Sequence, residues 1–271
     1  MIERKYVGSE KPLKKVLSEL FPELSYSETL ASLRRRDVKV DGIRASSDAV
    51  LFGGELITIY PKKTKEIKVL YEDDDLLACY KPKGMPSEGD VSFSSFVMAE
   101  KGAVRLMHRL DTNTDGILLF AKNDIAEREI FEAMKSGNIR KEYLAEVYGV
   151  PNDKGETTLN YFYKKDEKRE CAVISNRPKA GFIPVTLTYK VVERKAESAL
   201  LRVVIHKGKM HQIRAMLAFH GYFILGDGKY GSDKVNRMFG VKKTLLTAVA
   251  VEFSFPSNSP LARLNEFRIE I

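Results

Sequence analysis

The 271-residue chain is long enough for one large domain or a small and a medium one, and its 44% hydrophobic and 30% charged residues suit an ordinary globular protein. Lys and Arg number 45 against 37 Asp and Glu, a formal net charge of +8 that favours a polyanionic partner. No apolar run approaches the ~20 residues of a membrane span. Met1-Ile2-Glu3-Arg4-Lys5 lacks the apolar stretch of a signal peptide, and Cys79 and Cys171 match no metal-ligand or redox spacing. The expectation is a cytoplasmic protein with two reduced, buried thiols.

Residues 12–60 read as a small unit. Leu13, Val16, Leu17 and Leu20 fall at i, i+3, i+4 and i+7, which predicts a helix over 12–20 ended by Phe21-Pro22. Ser25 and Glu28 have capping-box spacing, so a second helix is predicted from 26 to about 35, ending in Arg34-Arg35-Arg36. Val38-Lys39-Val40-Asp41-Gly42-Ile43 alternates around an Asp-Gly tight turn, and Leu56-Ile57-Thr58-Ile59-Tyr60 is a further strand. Three arginines delivered beside a small sheet suit an RNA clamp; a solvated helix end that complements the macrodipole would carry the same charges. The polar stretch Pro61-Lys62-Lys63-Thr64-Lys65-Glu66 is a candidate linker.

Beyond it, Val69-Leu70-Tyr71 and Leu76-Leu77-Ala78-Cys79-Tyr80 read as paired strands around Glu72-Asp73-Asp74-Asp75. Lys81-Pro82-Lys83-Gly84-Met85-Pro86 is a rigid turn whose lysines either touch phosphate or simply face solvent. The apolar run 117–121 predicts a buried strand. Asp124 and Glu127 form a capping-box pair, and the helix after them runs to Lys135 with Gly137 as its stop. Residues 141–148 and 200–205 read as strands. Residues 164–195, with nine Lys/Arg against Asp166, Glu167, Glu170 and Glu193, read as exposed basic strand and loop. Spacing at Ile213, Met216 and Leu217 places a helix within 209–220, closed by Gly221, and 244–255 is a final long strand. Between 202 and 243, nine Lys/Arg accompany only Asp227 and Asp233, the strongest local basic bias.

The residue that asks for a chemical explanation is Asp111, within Met107-His108-Arg109-Leu110-Asp111-Thr112-Asn113-Thr114-Asp115-Gly116-Ile117-Leu118-Leu119. A carboxylate beside an apolar run is poorly solvated and needs a cation or hydrogen-bond donors. His211-Gln212-Ile213-Arg214 can supply one. An arginine paired with a partly buried aspartate keeps it ionised and fixes its geometry, so Asp111, Arg214 and a polar aromatic such as Tyr143 form the candidate site. Such a carboxylate can serve as nucleophile or general base, although Arg–Asp pairs are more often structural. His108 and His211 fit RNA contacts as well as packed or capping histidines, and stay outside the catalytic set.

These residues also carry a family resemblance. His108-Arg109-Leu110-Asp111, Thr114 and Gly116-Ile117-Leu118-Leu119 resemble the central motif of the RluA-type pseudouridine synthases. Tyr71-Glu72-Asp73 with Lys81-Pro82-Lys83-Gly84-Met85 resembles that family's first motif, and Lys141-Glu142-Tyr143 the segment with its active-site tyrosine. Gly208-Lys209-Met210-His211-Gln212-Ile213-Arg214, followed by Gly226-Asp227 and Tyr230-Gly231, resembles its third motif. Near the N-terminus, Leu24-Ser25-Tyr26-Ser27 and Leu33-Arg34-Arg35-Arg36-Asp37-Val38-Lys39-Val40-Asp41-Gly42 resemble the alpha-L RNA-binding domain of a ribosomal protein, whose second helix and following turn bind structured RNA. Asp115, Lys209-Met210 and Ala215-Met216 depart from the family's usual residues and leave Asp111, Tyr143 and Arg214 in place.

The resemblance implies isomerisation of a uridine in structured RNA, breaking its nitrogen–carbon glycosidic bond and rejoining the base through carbon, with no metal or organic cofactor. Asp111 is then the essential carboxylate, Arg214 the partner that holds it, and Tyr143 the ring packed against uracil. Arg109 would fill the space left by a flipped base, and Lys209 with Arg34, Arg35 and Arg36 would bind RNA. The expected fold class is α+β: a catalytic domain over 63–271 with a mixed, largely antiparallel sheet flanked by two clear helices, after a small α/β RNA-binding domain over 1–62. The expected partner is structured RNA, ribosomal RNA of the large subunit ahead of transfer RNA, with no membrane and no obligate protein partner. The alternative is a non-catalytic RNA-binding or ribosome-assembly factor on the same scaffold. A hydrolase using Asp111 would need a second catalytic carboxylate or a metal cluster, and the sequence offers no convincing one.

Overall fold

The computed structural model describes residues 1–271 apart from Glu23, Ser25, 61–66 and Val91 and the side chains of Tyr26, Ser27 and Leu30. The predicted Ser25 cap and the linker at 61–66, with the boundary inside it, lie outside the described residues. Contacts along the chain divide it into two units, Met1–Glu66 and Ile67–Ile271.

The first unit runs β1 (Ile2–Lys5), β2 (Lys11–Pro12), α1 (Leu13–Leu20), α2 (Tyr26–Arg34), β3 (Val38–Val40), β4 (Ile43–Arg44), β5 (Val50–Leu51) and β6 (Leu56–Ile59). An antiparallel sheet has the order β1-β6-β3-β4. Leu13, Val16 and Leu17, on one face of α1, share a core with Val38, Ile57 and Ile59 from the sheet. The β3–β4 hairpin turns on Asp41 and Gly42 at φ +48° and +79°, the left-handed pair that matches strand twist.

The second unit runs β7 (Val69–Glu72), β8 (Leu76–Lys81), α3 (Phe93–Lys101), β9 (Arg105–Leu106), β10 (Asp115–Ala121), α4 (Asp124–Ser136), β11 (Ile139–Tyr148) and β12 (Glu156–Asp166). It continues with β13 (Cys171–Ser175), β14 (Ile183–Arg194), β15 (Ser198–Ile205), α5 (Gln212–His220), α6 (Asp233–Met238), β16 (Leu246–Phe253), a 3-10 turn (Ala262–Glu266) and β17 (Arg268–Glu270). One sheet has the order β13-β12-β14-β15-β11-β16-β10-β8-β7, with β9 on β10 and β17 on β16. β10 and β16 pair in parallel, and the other pairings are antiparallel. The fold is α+β on a mixed, largely antiparallel sheet.

Burial on both faces explains the continuous apolar runs of β8 and β10. Leu77, Cys79, Leu118 and Phe120 enter one core with Phe93 and Val97 of α3. Leu76, Ala78, Ile117 and Leu119 enter the other with Ala126 and Ile130 of α4.

Several local expectations are corrected. Asn123, one residue before the predicted Asp124, caps α4, its side chain accepting the Ala126 N–H at 2.9 Å. α5 starts only at Gln212, because His211 holds φ +56° and closes a turn from Lys209. α3 and α6 add to the two clear helices expected; each begins at a serine cap, Ser92 or Ser232, and is too short or too polar to show periodicity. β16 is the final long strand, as expected, and the 3-10 turn after it returns the chain as the short β17 along its edge. Cys79 is buried, whereas Cys171 is only half-buried.

Candidate active site

Asp111 sits in a turn clamped by its neighbours. The Thr114 N–H returns to the Asp111 carbonyl at 2.9 Å, and the Gly84 N–H donates to the Thr112 carbonyl at 2.7 Å. Ser87 Oγ donates to the Leu110 carbonyl at 2.7 Å and accepts the Leu110 N–H at 2.9 Å. Directly after the turn, Gly116 at φ +114° lets β10 pass β16; a Cβ there would stand 2.1 Å from the Ala248 carbonyl oxygen.

Lys81 overturns the expectation for the Lys81-Pro82-Lys83-Gly84 turn, because it is fully buried and neither touches phosphate nor faces solvent. Its Nζ donates to the carbonyls of Met85, Pro82 and Thr112 at 2.8, 3.2 and 3.4 Å, stapling the turn beneath Asp111. Burial pushes its ammonium down to about 8, with Asp115 and Asp111 opposing. Lys83 pairs with Asp115 at 3.4 Å, and Asp115 also accepts the Tyr80 and Thr247 hydroxyls.

The first turn of α5 presents Arg214. Its Nη1 donates to Asp111 Oδ2 at 2.7 Å, while Nε and Nη2 grip the two oxygens of Asp227 at 2.7 and 2.8 Å. Asp227 is fully buried and accepts the Lys229 and Tyr230 N–H groups at Oδ1, at 2.8 and 3.1 Å. Burial works against the guanidinium charge, but Asp227 and then Asp111 hold it above the ordinary range. Burial also works against the Asp227 carboxylate, and Arg214 pulls it below its ordinary value. Asp111 Oδ1 makes no hydrogen bond among the described residues.

His211 stands beside this pair. Its Nδ1 lies 3.0 Å from the Tyr230 hydroxyl, and its Nε2 lies 3.8 Å from Asp111 Oδ2. The Tyr230 hydroxyl accepts the Ala172 N–H at 2.6 Å, so its own proton is free to go to Nδ1, which leaves the Nε2 hydrogen facing Asp111. Burial lowers the pKa of the ring, with Asp111 opposing.

Tyr143 is 6% exposed and follows a bulge at Glu142/Tyr143 against β16, which re-aims the strand. Burial, then the charge of Asp111, push its phenol well above the ordinary range, so it is neutral. Next to it, buried Glu142 is gripped by Arg268, Arg202 and Arg140, which pull its carboxyl down to about 2 and anchor the strand.

Asp111, Tyr143, His211 and Arg214 line one cleft of about 940 Å³. Its charged lining is Arg109, Lys135, Lys141, Lys207, Lys209 and Arg214 against Glu88 and Asp111. Arg109 is exposed at the rim and held to Glu88 at 2.8 Å, and Lys209 is exposed beside it in the lining. The remaining expected RNA contacts belong to the first unit: Arg34 and Arg36 are exposed at the end of α2, while Arg35 is engaged by Glu28 at 2.6 Å and Asp37 at 2.7 Å. Sequence reasoning placed Asp227, Tyr230 and Lys141 within the family motifs but gave them no role of their own. Asp227 had left a signal, as one of two acids in the most basic stretch of the chain. Among the described residues, no group of three or more His, Cys, Asp or Glu is placed to hold a metal ion, and no helix is long and apolar enough to cross a membrane.

An aspartate held by a largely covered arginine, in a cleft whose charged lining is mostly cationic, suits an enzyme that works on a polyanion. The model of the RNA pseudouridylate synthase family matches residues 75–219, just over half the chain. The chain is 28% identical over 254 residues to "Ribosomal large subunit pseudouridine synthase C" of Rickettsia bellii (strain RML369-C), covering 82% of this chain and 83% of that one. It is 28% identical over 263 residues to the protein of the same name from Escherichia coli (strain K12), covering 86% and 81%. The fold is similar to human RNA Pseudouridylate Synthase Domain Containing 1, with TM-score 0.63 and 18% identity over 79% of this chain and 85% of that one. The chain belongs to the RNA pseudouridylate synthase family and is an RNA pseudouridine synthase of the RluA type.

Proposed function

We propose that this enzyme isomerises specific uridines of large-subunit ribosomal RNA in the cytoplasm, with Asp111 as its essential carboxylate. The observation that carries the catalytic reading is the Arg214 bridge, which ties Asp111 Oδ2 to Asp227. Two relatives named for the large ribosomal subunit favour that RNA over transfer RNA.

The reaction moves the C1′ bond from N1 to C5 of uracil. N1 gains a proton and the C5 proton is lost, so the balance needs no oxidant or reductant, and none of the steps calls on a metal or organic cofactor. Asp111, fixed through Oδ2, meets the nucleotide through Oδ1 and drives cleavage of the glycosidic bond. Arg214 supports the carboxylate from behind. Tyr143 acts as a neutral aromatic wall for uracil, with a hydroxyl able to donate.

A uridine in folded RNA must leave its stack, at a cost of a few kcal/mol. Arg109 is suited to fill the vacated space, because its exposed pair with Glu88 is easily given up, being worth about 0–1 kcal/mol. Lys209 contributes phosphate attraction at the cleft, and Arg34 and Arg36 do so from an alpha-L-type clamp over residues 1–62; Arg35 serves to hold that clamp together.

The test is to map pseudouridine after incubating wild type and Asp111→Asn with unmodified large-subunit ribosomal and transfer RNA transcripts. Conversion at discrete ribosomal uridines by wild type alone, with RNA binding by the variant within about threefold, is the expected result. Conversion confined to transfer RNA would overturn the ribosomal target, and near-normal turnover by Asp111→Asn would overturn the catalytic assignment.

A further inference from the structure

We infer that Lys141 is the receptor for a phosphodiester flanking the uridine held at Asp111, an anion contact that completes a charge the protein itself leaves without a partner. The inference rests on the uridine-isomerising reading of the cleft and deepens it.

Lys141 is 7% exposed and lines the cleft. Other buried charges in this unit are matched within the chain: Lys81 meets three carbonyls, Glu142 three guanidiniums, and Asp227 the Arg214 guanidinium. Nζ of Lys141 makes no hydrogen bond or ion pair among the described residues. It is not sealed in, because every fully enclosed side-chain nitrogen or oxygen among the described residues has a partner. The stem is therefore buried while the ammonium reaches the cleft, lying against Gly208, where an added Cβ would stand 3.5 Å from Nζ.

An unpaired ammonium taken out of water costs several kcal/mol, and burial accordingly pushes Lys141 down to about 8. A protein that matches its other buried charges and leaves this one open at a substrate cleft is built for an occupant that brings the counter-charge. Uracil and ribose are neutral, so the anions an RNA can bring here are its phosphodiesters. An ammonium suits them as a compact point charge. Lys141 lies two residues before Tyr143 on β11, about 7 Å along the strand. A nucleotide whose base lies on Tyr143 thus has its backbone within reach of Nζ.

The experiment uses full-length wild type, Lys141→Met and Lys141→Arg with unmodified large-subunit ribosomal RNA transcript, measuring filter-bound RNA across about 50–300 mM KCl and the rate of pseudouridine formation at saturating RNA. Lys141→Met is expected to weaken binding about tenfold and to lower the slope of log affinity against log salt by about 0.7–0.9, one phosphate's worth. Its thermal unfolding temperature is unchanged or higher, since an unpaired buried charge is gone. Lys141→Arg restores the slope. An unchanged slope in Lys141→Met, or a collapsed saturated rate with the slope intact, overturns the inference. Failure of wild type to form pseudouridine would instead defeat the reading of the reaction, and the binding slopes would still judge Lys141.

Discussion

Asp227 touches no reacting atom in this arrangement, yet it fixes the one group that orients Asp111. Asp227→Asn removes the fully buried partner of Arg214 and leaves that guanidinium undercompensated, a loss of the kind that costs about 3–5 kcal/mol. The expected outcome is a lower unfolding temperature and a fall in kcat larger than any rise in KM, read from saturated rates and thermal melts. A second expectation concerns pH. The Leu119 N–H donates to His108 Nε2 at 3.3 Å, and burial, then the charge of Lys141, push the ring down to about 3 from an ordinary 6.5. Below pH 6.5 the unfolded chain takes up a proton that the folded chain refuses. Stability contributed here is therefore present above pH 6.5 and lost as pH falls from 6.5 towards 3. Melts between about pH 7.5 and 4.5 should show that slope, and His108→Gln should flatten it; an equal slope in the variant would contradict it. Asp111 and Arg214 were legible in the sequence because a charge beside an apolar run demands a partner. The neutral, accepting state of His108 was not, since it depends on the Leu119 N–H that β10 brings to it.

Among the elements, β10 and β16 decide where the Asp111 turn can sit, and their parallel contact tolerates no side chain at 116. Gly116→Ala places a Cβ 2.1 Å from the Ala248 oxygen in a left-handed backbone, so it should cost about 3 kcal/mol or more and lower the unfolding temperature by roughly 6–12 °C. Differential scanning calorimetry checks this; a shift under about 2 °C would mean the strands have room that the structure does not give them. The runs of β8 and β10 were readable because both faces of the sheet are covered, leaving no polar interruption. α3 was hidden for the opposite reason, with Phe93 and Val97 set among serines and one turn of apolar face to show. Helix α5 was read a turn too long because apolar spacing says nothing about the left-handed turn at His211.

At the scale of the whole molecule, a net charge of +8 is only a leaning; it gains meaning when six cations face two acids across one cleft. The order of the motifs carried the family, and residues as far apart as Asp111 and Arg214 do meet in the fold. The role of residues 1–62 is open to a direct test: their removal should raise the RNA concentration needed for half-saturation and leave the saturated rate nearly intact. A truncated enzyme that binds and modifies RNA as well as the full chain would contradict the clamp. The most direct measurement is tritium release from RNA labelled at carbon 5 of uridine, comparing wild type with Asp111→Ala. Release by wild type and none by Asp111→Ala is the expected result, because forming the C5–C1′ bond expels the C5 hydrogen and Asp111 is the proposed essential carboxylate. Equal release by both proteins would contradict the assignment of Asp111 as the essential carboxylate.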